Sequence, residues 1–166
     1  MAEAREIERD VVEARDALAA ADTLDEALGT LASALAHRYP ISRASLRTYD
    51  LRTEELEIVG VWSATATQLG VGVRVPARST SFAEVELRGS ALLGDSPVAG
   101  DPLLDQIVRD EGNRSWVVMP ITRDRLVVGL LSVSSHEPDT FSRDDLPFFD
   151  ALSGAIAERL LELTAA

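Results

Sequence analysis

The spacing of apolar residues changes twice along this chain, and these changes restrict the fold more than any other feature. Up to about residue 38, apolar residues recur every three or four positions, as on one face of a helix. Between about 43 and 134 they alternate or form short runs, as in strands, and after Phe141 the helical spacing returns. This order predicts an α+β domain in which helices flank a run of strands.

The helical pattern predicts helices over 2–21, 24–38 and 143–163, with Tyr39-Pro40 ending the second one. Two shorter helices are predicted between strands: one begins at a capping Ser79 or Ser81 and ends at Gly89, and one covers 101–112. Short connections between neighbouring strands indicate hairpins, and hence one antiparallel sheet. The six predicted strands cover 43–50, 55–62, 71–76, 90–94, 115–121 and 125–134.

The first predicted helix has an apolar seam with heptad-like spacing. The seam is too short for a stable isolated helix, so we expect it to pair with a second copy of the chain and form a homodimer. We accordingly divide the chain into a helical, coiled-coil extension over 1–22 and a globular domain over 23–166. The seam consists of Ile7, Val11, Ala14 and Leu18.

Missing residue types exclude several chemistries. The chain of 166 residues has no cysteine, and all 16 of its basic residues are arginine, so thiol nucleophiles, cysteine zinc sites and Schiff-base lysines are excluded. Of the two histidines, His37 and His136, each is better explained as a surface or capping residue than as a haem ligand. We therefore predict no catalytic residues, no metal site and no enzyme activity.

Charge and hydropathy restrict the partners. A net charge of −12 opposes binding to nucleic acid or anionic lipid, and no apolar run approaches the length of a membrane span. The N-terminus lacks the apolar core of a signal peptide. These features predict a cytoplasmic protein that binds neither nucleic acid nor membranes.

The chain resembles the GAF domain family over about residues 24–163. Its opening stretch LDEALGTLASALAHRYPISRASLRTYD is similar to the first helix and strand of that family, and SFAEVELRGSALLGDSPVAGDP to its central crossover. The most specific part is the run RSxxxxPI…xxxGLLSV…FSxxDLxFFxAL. The order and spacing of these stretches, rather than any single position, carry the resemblance.

This resemblance implies a central six-stranded antiparallel sheet, of the GAF and PAS type, with the terminal helices on one face. A small ligand would bind the other face, under the helical crossover. It also implies a sensory module of a bacterial signal-transduction protein, acting on a fused or separate effector. Covalent bilin attachment and the methionine-sulfoxide-reducing activity of the family both require cysteine, so the resemblance leaves the ligand or cofactor unidentified.

Ligand-binding candidates come from the strands and the crossover. Alternation places Ser45, Arg47 and Tyr49 on one face of the first strand, and a cavity-facing arginine would suit a phosphate or carboxylate. An exposed or salt-bridged position is the alternative for Arg47 and Arg74. Ser115 corresponds to a family position that often faces the ligand. The full candidate set is Arg47, Tyr49, Arg74, Ser79, Ser81, Ser115 and the apolar or aromatic residues Trp62, Phe82, Trp116 and Met119.

Two functions fit these sequence features. The first is a sensory domain that binds a small molecule and signals through its dimerising terminal helices. The alternative is a ligand-free dimerisation or protein-interaction module whose pocket is filled by Trp62, Phe82, Trp116 and Met119. The chain is expected to be either a small regulator or a segment of a longer sensor.

Overall fold

The computed structural model describes residues 2–94, 107 and 109–165, and confirms the predicted α+β class. The helices are α1 (Ala2–Ala19), α2 (Leu24–Leu35), α3 (Phe82–Arg88) and α4 (Leu146–Ala165). A 3-10 turn at Arg143–Asp145 leads into α4, and another at Ala77–Ser79 precedes α3. Most of the predicted helix over 101–112 lies outside the described residues.

The strands form one antiparallel six-stranded sheet in the order β3-β2-β1-β6-β5-β4. The predicted hairpins therefore exist, and β1 with β6 forms the centre of the sheet. The third predicted strand is shorter than expected, since it pairs only through Arg74–Pro76. The strand bounds are β1 (Arg43–Asp50), β2 (Glu55–Ser63), β3 (Arg74–Pro76), β4 (Leu92–Gly94), β5 (Ser115–Arg123) and β6 (Leu126–Ser135).

The main core lies between one face of the sheet and the helices α1, α2 and α4. Ala44 and Leu46 of β1 point into it, as do Val117 and Met119 of β5. The helices approach the sheet closely: a Cβ on Gly60 of β2 would come within 2.5 Å of the Leu24 side chain. The terminal helices thus cover one face, as the family resemblance implied.

The opposite face carries two smaller apolar clusters under α3 and the loop before β3. One contains Leu56, Phe82 and Val118, and the other contains Ile58 and Leu69. Polar side chains of β1 and β6 share this face with the two clusters. This face therefore holds the candidate site.

The seam of α1 is largely used within its own chain. Ala14 and Leu18 are fully buried in the main core, and the half-buried Ile7 and Val11 pack against it. In this arrangement Ala14 and Leu18 are not accessible to a second copy, contrary to their predicted place in a dimer seam. The reason is that α4 and α2 supply the apolar partners that a two-heptad helix needs.

The start of α3 differs from the prediction that Ser79 or Ser81 caps it. The Ser81 side chain makes no capping hydrogen bond, and Ser79 belongs to the preceding 3-10 turn. Instead, the Thr80 hydroxyl accepts from the Phe82 amide at 3.1 Å and donates to the Ala77 carbonyl at 2.7 Å. Before the last helix, Ser142 and Asp145 form a capping box.

None of the helices within the described part of the chain combines the length and the apolar character that a membrane span requires.

Candidate functional site

A small polar cavity lies on the sheet face that the terminal helices leave uncovered. Its volume is about 50 Å³. Side chains of β1, β5 and β6 form its floor, while residues that precede α3 or β5 form its sides. The described residues that line it are Arg43, Ser45, Arg47, Leu69, Thr80, Ser81, Glu111, Asn113, Trp116, Val118, Ser132 and Ser134.

Strand register explains why the floor is polar. Across the β1–β6 pair, Arg43 lies opposite Ser134, and Ser45 lies opposite Ser132. Directly opposed residues of antiparallel strands point to the same face, so the serines of both strands face the same space. Small hydroxyl side chains at the centre of the sheet leave room that larger apolar residues would fill.

Arg43 is buried and already has partners. Its Nη1 donates to Oγ1 of Thr67 at 2.5 Å, and its Nη2 donates to the Leu69 carbonyl at 2.7 Å. Glu111 lies 3.9 Å from Nη1 and accepts hydrogen bonds from the Thr67 hydroxyl and the Gln68 amide. Burial lowers the pKa of Arg43, and the charge of Glu111 partly opposes that effect. The hydrogen bonds that Arg43 donates therefore hold the loop before β3 in place beside the cavity.

Arg47 differs from Arg43 because its Nε is buried without a hydrogen-bond partner among the described residues. Burial and the nearby charge of Arg43 lower the pKa of Arg47 to about 10, so Arg47 still carries a positive charge at neutral pH. The Oγ of Ser45, two residues earlier on the same face, is also buried and unpartnered in the described structure. Buried polar groups are normally hydrogen-bonded, so both atoms point to a missing partner.

Trp116 of β5 lines another side of the cavity and lies against the short strand β4. Trp116 lies directly opposite Gly94, and a Cβ on Gly94 would overlap the Nε1 of the indole. Glycine at this position thus allows the indole ring to lie across β4 beside the cavity. Any larger residue would displace it.

The structure brings three of the predicted binding residues, Arg47, Ser81 and Trp116, to the cavity. Tyr49 and Phe82 lie beside it on the same face and stack on each other with a centroid distance of 4.4 Å. They fill space next to the cavity and line a separate, more open hollow near Arg78 and Glu86.

Arg74 is not at the cavity. It lies on the edge strand β3, where its guanidinium contacts the carboxylates of Asp50, Glu55 and Glu57 at 2.8–3.2 Å. The hydrogen bonds that the guanidinium donates to Asp50, Glu57 and Glu55 raise the pKa of Arg74. The salt-bridged alternative is therefore the one observed for Arg74.

Four other candidates lie elsewhere. Trp62 packs against Gly29 of α2, and Met119 is buried among the helices, so both are on the opposite face of the sheet. Ser115 donates from its hydroxyl to the Glu137 carbonyl at 2.7 Å and joins the start of β5 to the turn after β6. Ser79 is not among the residues that line the cavity.

Several cavity residues were missed from the sequence. The alternation of Arg43, Ser45 and Arg47 signals a polar face on β1, and Ser132 and Ser134 show the same spacing on β6. Pairing these two patterns would have predicted a polar patch at the centre of the sheet. No local signal identifies Glu111 or Asn113, because the long connection before β5 brings them there.

The chain belongs to the GAF domain family, whose model matches residues 23–160. GAF domains are generally sensory or regulatory modules that bind small molecules. No curated protein sequence matches the chain significantly.

Solved structures of low sequence identity have the same fold. The GAF domain of a phosphoenolpyruvate-protein phosphotransferase from Coxiella burnetii aligns with a TM-score of 0.72 and 15% identity, over 96% of this chain and 95% of that chain. The corresponding Acinetobacter domain gives 0.70 and 14%, with 96% of each chain covered. A free methionine-R-sulfoxide reductase from Neisseria meningitidis, solved with its substrate, gives 0.69 and 18%, over 98% of this chain and 93% of that chain.

Proposed function

We propose that this GAF domain is a sensory or regulatory module that binds a small molecule in the cavity and signals through its terminal helices. The observation that supports this proposal best is the pair of buried, unpartnered polar atoms at the cavity, Ser45 Oγ and Arg47 Nε, in the described structure. Leaving a buried polar group without a hydrogen bond costs about 1–3 kcal/mol. A bound molecule that supplies the missing partners would remove this cost.

A binding role also agrees with the composition. The sequence has no cysteine or lysine, and its two histidines, His37 and His136, do not line the cavity. Thiol and Schiff-base chemistry are therefore excluded from the cavity, while hydroxyl, amide and guanidinium groups suited to recognition remain. We accordingly assign the cavity to binding rather than catalysis.

The alternative of a self-filled interaction module has less support. Of the four residues expected to fill the pocket, Trp62 and Met119 lie among or against the helices on the other face. Phe82 stacks on Tyr49 beside the cavity, so Trp116 is the member of this set that lines it. Space for a ligand therefore remains.

Signalling would run from β1 through the helical core to the terminal helices. One face of β1 presents Arg43, Ser45 and Arg47 to the cavity, while the other presents Ala44 and Leu46 to the helical core. A ligand that shifts β1 would also shift its packing against the helices. We propose that a cytoplasmic homodimer of a bacterial signalling protein uses this shift, with the exposed parts of α1 and α4 at the contact between copies.

The experiment that tests this function is native mass spectrometry of the freshly purified chain, repeated under denaturing conditions. An extra mass that disappears on denaturation supports ligand binding, and a doubled mass supports the homodimer. Loss of that extra mass in a Ser45→Phe variant, which fills the cavity, would locate the ligand there. A bare polypeptide mass, together with no thermal shift for any of a panel of metabolites, would contradict the sensory function.

A further inference from the structure

We propose that the molecule bound in this cavity is anionic, and that its carboxylate or phosphate oxygens accept hydrogen bonds from the Arg47 guanidinium and the Ser45 hydroxyl. This inference rests on the proposed function, because it names the chemical class of the ligand for the same cavity.

The charges around the cavity support an anion. Among the described residues, three charged side chains line it: Arg43, Arg47 and Glu111. Glu111 lies 3.9 Å from Arg43, and both of its carboxylate oxygens accept hydrogen bonds from the loop before β3. Arg43 and Glu111 therefore balance one another, and the charge of Arg47 remains uncompensated among the described residues.

The hydrogen-bonding groups point in the same direction. A guanidinium has donors only, so the buried Nε of Arg47 needs an acceptor. The Ser45 hydroxyl can donate to the same acceptor, and the hydroxyl of Ser132 lies directly across the sheet from it. Carboxylate and phosphate oxygens carry enough lone pairs to accept several such bonds, and they match the planar fork of arginine.

The size of the cavity also suits an oxyanion group. On the same measure, a cavity that holds one water molecule has a volume of roughly 10–15 Å³. The cavity of about 50 Å³ thus has room for a group of a few heavy atoms, such as a carboxylate or a phosphate.

Burial of an unpaired charge has a measurable consequence. A charged group buried without a partner carries a desolvation cost that its removal relieves, whereas removing one partner of a satisfied buried pair is destabilising. We therefore expect Arg47→Met to raise the melting temperature of the ligand-free protein while abolishing anion binding. If Arg47 had a purely structural role, Arg47→Met would instead lower the melting temperature.

The test uses thermal unfolding of the full chain at constant ionic strength with three probes: sodium acetate, inorganic phosphate and the neutral acetamide. Acetate or phosphate, at about 100 times its dissociation constant, should raise the melting temperature by roughly 5–10 °C. Acetamide at equal concentration should not. The shift should vanish in Arg47→Met and persist in Arg74→Met, which removes a surface arginine bound to three carboxylates.

The outcomes separate this inference from the proposed function. An anion-specific shift that requires Arg47 supports both, and the more effective of acetate and phosphate identifies the preferred oxyanion. A neutral molecule that copurifies with the protein and binds Arg47→Met equally well would overturn the anionic assignment but retain the sensory function. Absence of any bound molecule or probe effect would overturn both, and lower stability of ligand-free Arg47→Met would show that Arg47 is structural.

Discussion

The Nε of Arg38 donates to Oδ2 of Asp10 at 2.8 Å and thereby joins the N-terminal helix to the segment that leads into β1. The Asp10 side chain is only 3% exposed, although it lies on α1 among exposed charged residues. His37 approaches the same carboxylate at 3.4 Å, and the Arg38 guanidinium lies over the Phe148 ring at 4.9 Å from its centroid. This cluster fixes α1 against both α2 and α4 only a few residues before the strand that lines the cavity.

Removing the arginine of this cluster should destabilise the fold. In Arg38→Met the buried Asp10 carboxylate loses its shortest hydrogen bond, and the Phe148 ring loses the cation that lies over it. We expect a loss of about 2–3 kcal/mol in the free energy of unfolding, measured with urea. The matched control is Arg15→Met, which breaks an exposed pair with Asp16 and should change stability by less than about 0.5 kcal/mol. Equal effects of the two variants would contradict the role assigned to Asp10.

Acid should weaken the same cluster. Burial raises the pKa of Asp10, but hydrogen bonds and charges from Arg38 and His37 outweigh it, so the pKa lies below its ordinary value of 3.8. A carboxyl whose pKa is lowered by folding stabilises the fold above its ordinary pKa, and this contribution is lost as the pH falls through the folded pKa. The stability difference between the wild type and Asp10→Asn should therefore be largest near neutral pH and shrink below about pH 4. Urea unfolding at a series of pH values measures this difference. If it stays constant down to pH 2, Asp10 does not titrate in this way.

The C-terminal helix should control fraying of α1. Arg159 of α4 donates to the carbonyls of Leu18 and Ala19 in the last turn of α1 and of Ala21 just beyond it, at 2.6–3.4 Å. Arg159→Met should lower stability by about 1–2 kcal/mol and speed amide hydrogen exchange in the last turn of α1. The control is Arg88→Met, which removes an exposed pair with Glu84 and should leave that exchange unchanged. Unaltered exchange in Arg159→Met would show that apolar packing alone fixes the end of α1.

Much of the fold was predictable because its signals are local. The alternation of polar and apolar residues that defines β1 can be read from the sequence. It also assigns the side chains of β1 to the two faces of the sheet. The apolar stripe of the last helix and its Ser142–Asp145 capping box are equally local. These features indicate the class, the hairpins and the terminal helices.

The site was less predictable because it depends on register. Leu56 and Ile58 of β2 face the cavity side, and simple alternation would place Trp62 there as well. The β1–β2 register shifts between Leu46 and Arg47, with Leu46 opposite Gly60 and Arg47 opposite Ile58. The extra residue, Val59, reverses the faces to which the following side chains of β2 point. Trp62 therefore faces α2 instead of the cavity side. No sequence signal marks this bulge.

Tertiary partners explain the remaining differences. The spacing of Ala14 and Leu18 predicts a dimer seam, but spacing alone does not distinguish a partner in a second chain from one in the same chain. Arg74 has the charge of a ligand-binding residue, and three acidic neighbours on β1 and β2 neutralise it.

The contact between Gly94 and Trp116 provides a last test of the cavity wall. Because a Cβ on Gly94 would overlap the indole, Gly94→Ala should displace Trp116 and lower stability by about 1–3 kcal/mol. In a Trp62→Phe background, where Trp116 is the remaining tryptophan, the fluorescence emission should report this displacement. Gly70→Ala is the matched control, since its added Cβ meets open space and should change neither stability nor emission appreciably. If Gly94→Ala matched this control in both measurements, Trp116 would not lie across β4, and the wall described for the cavity would be wrong.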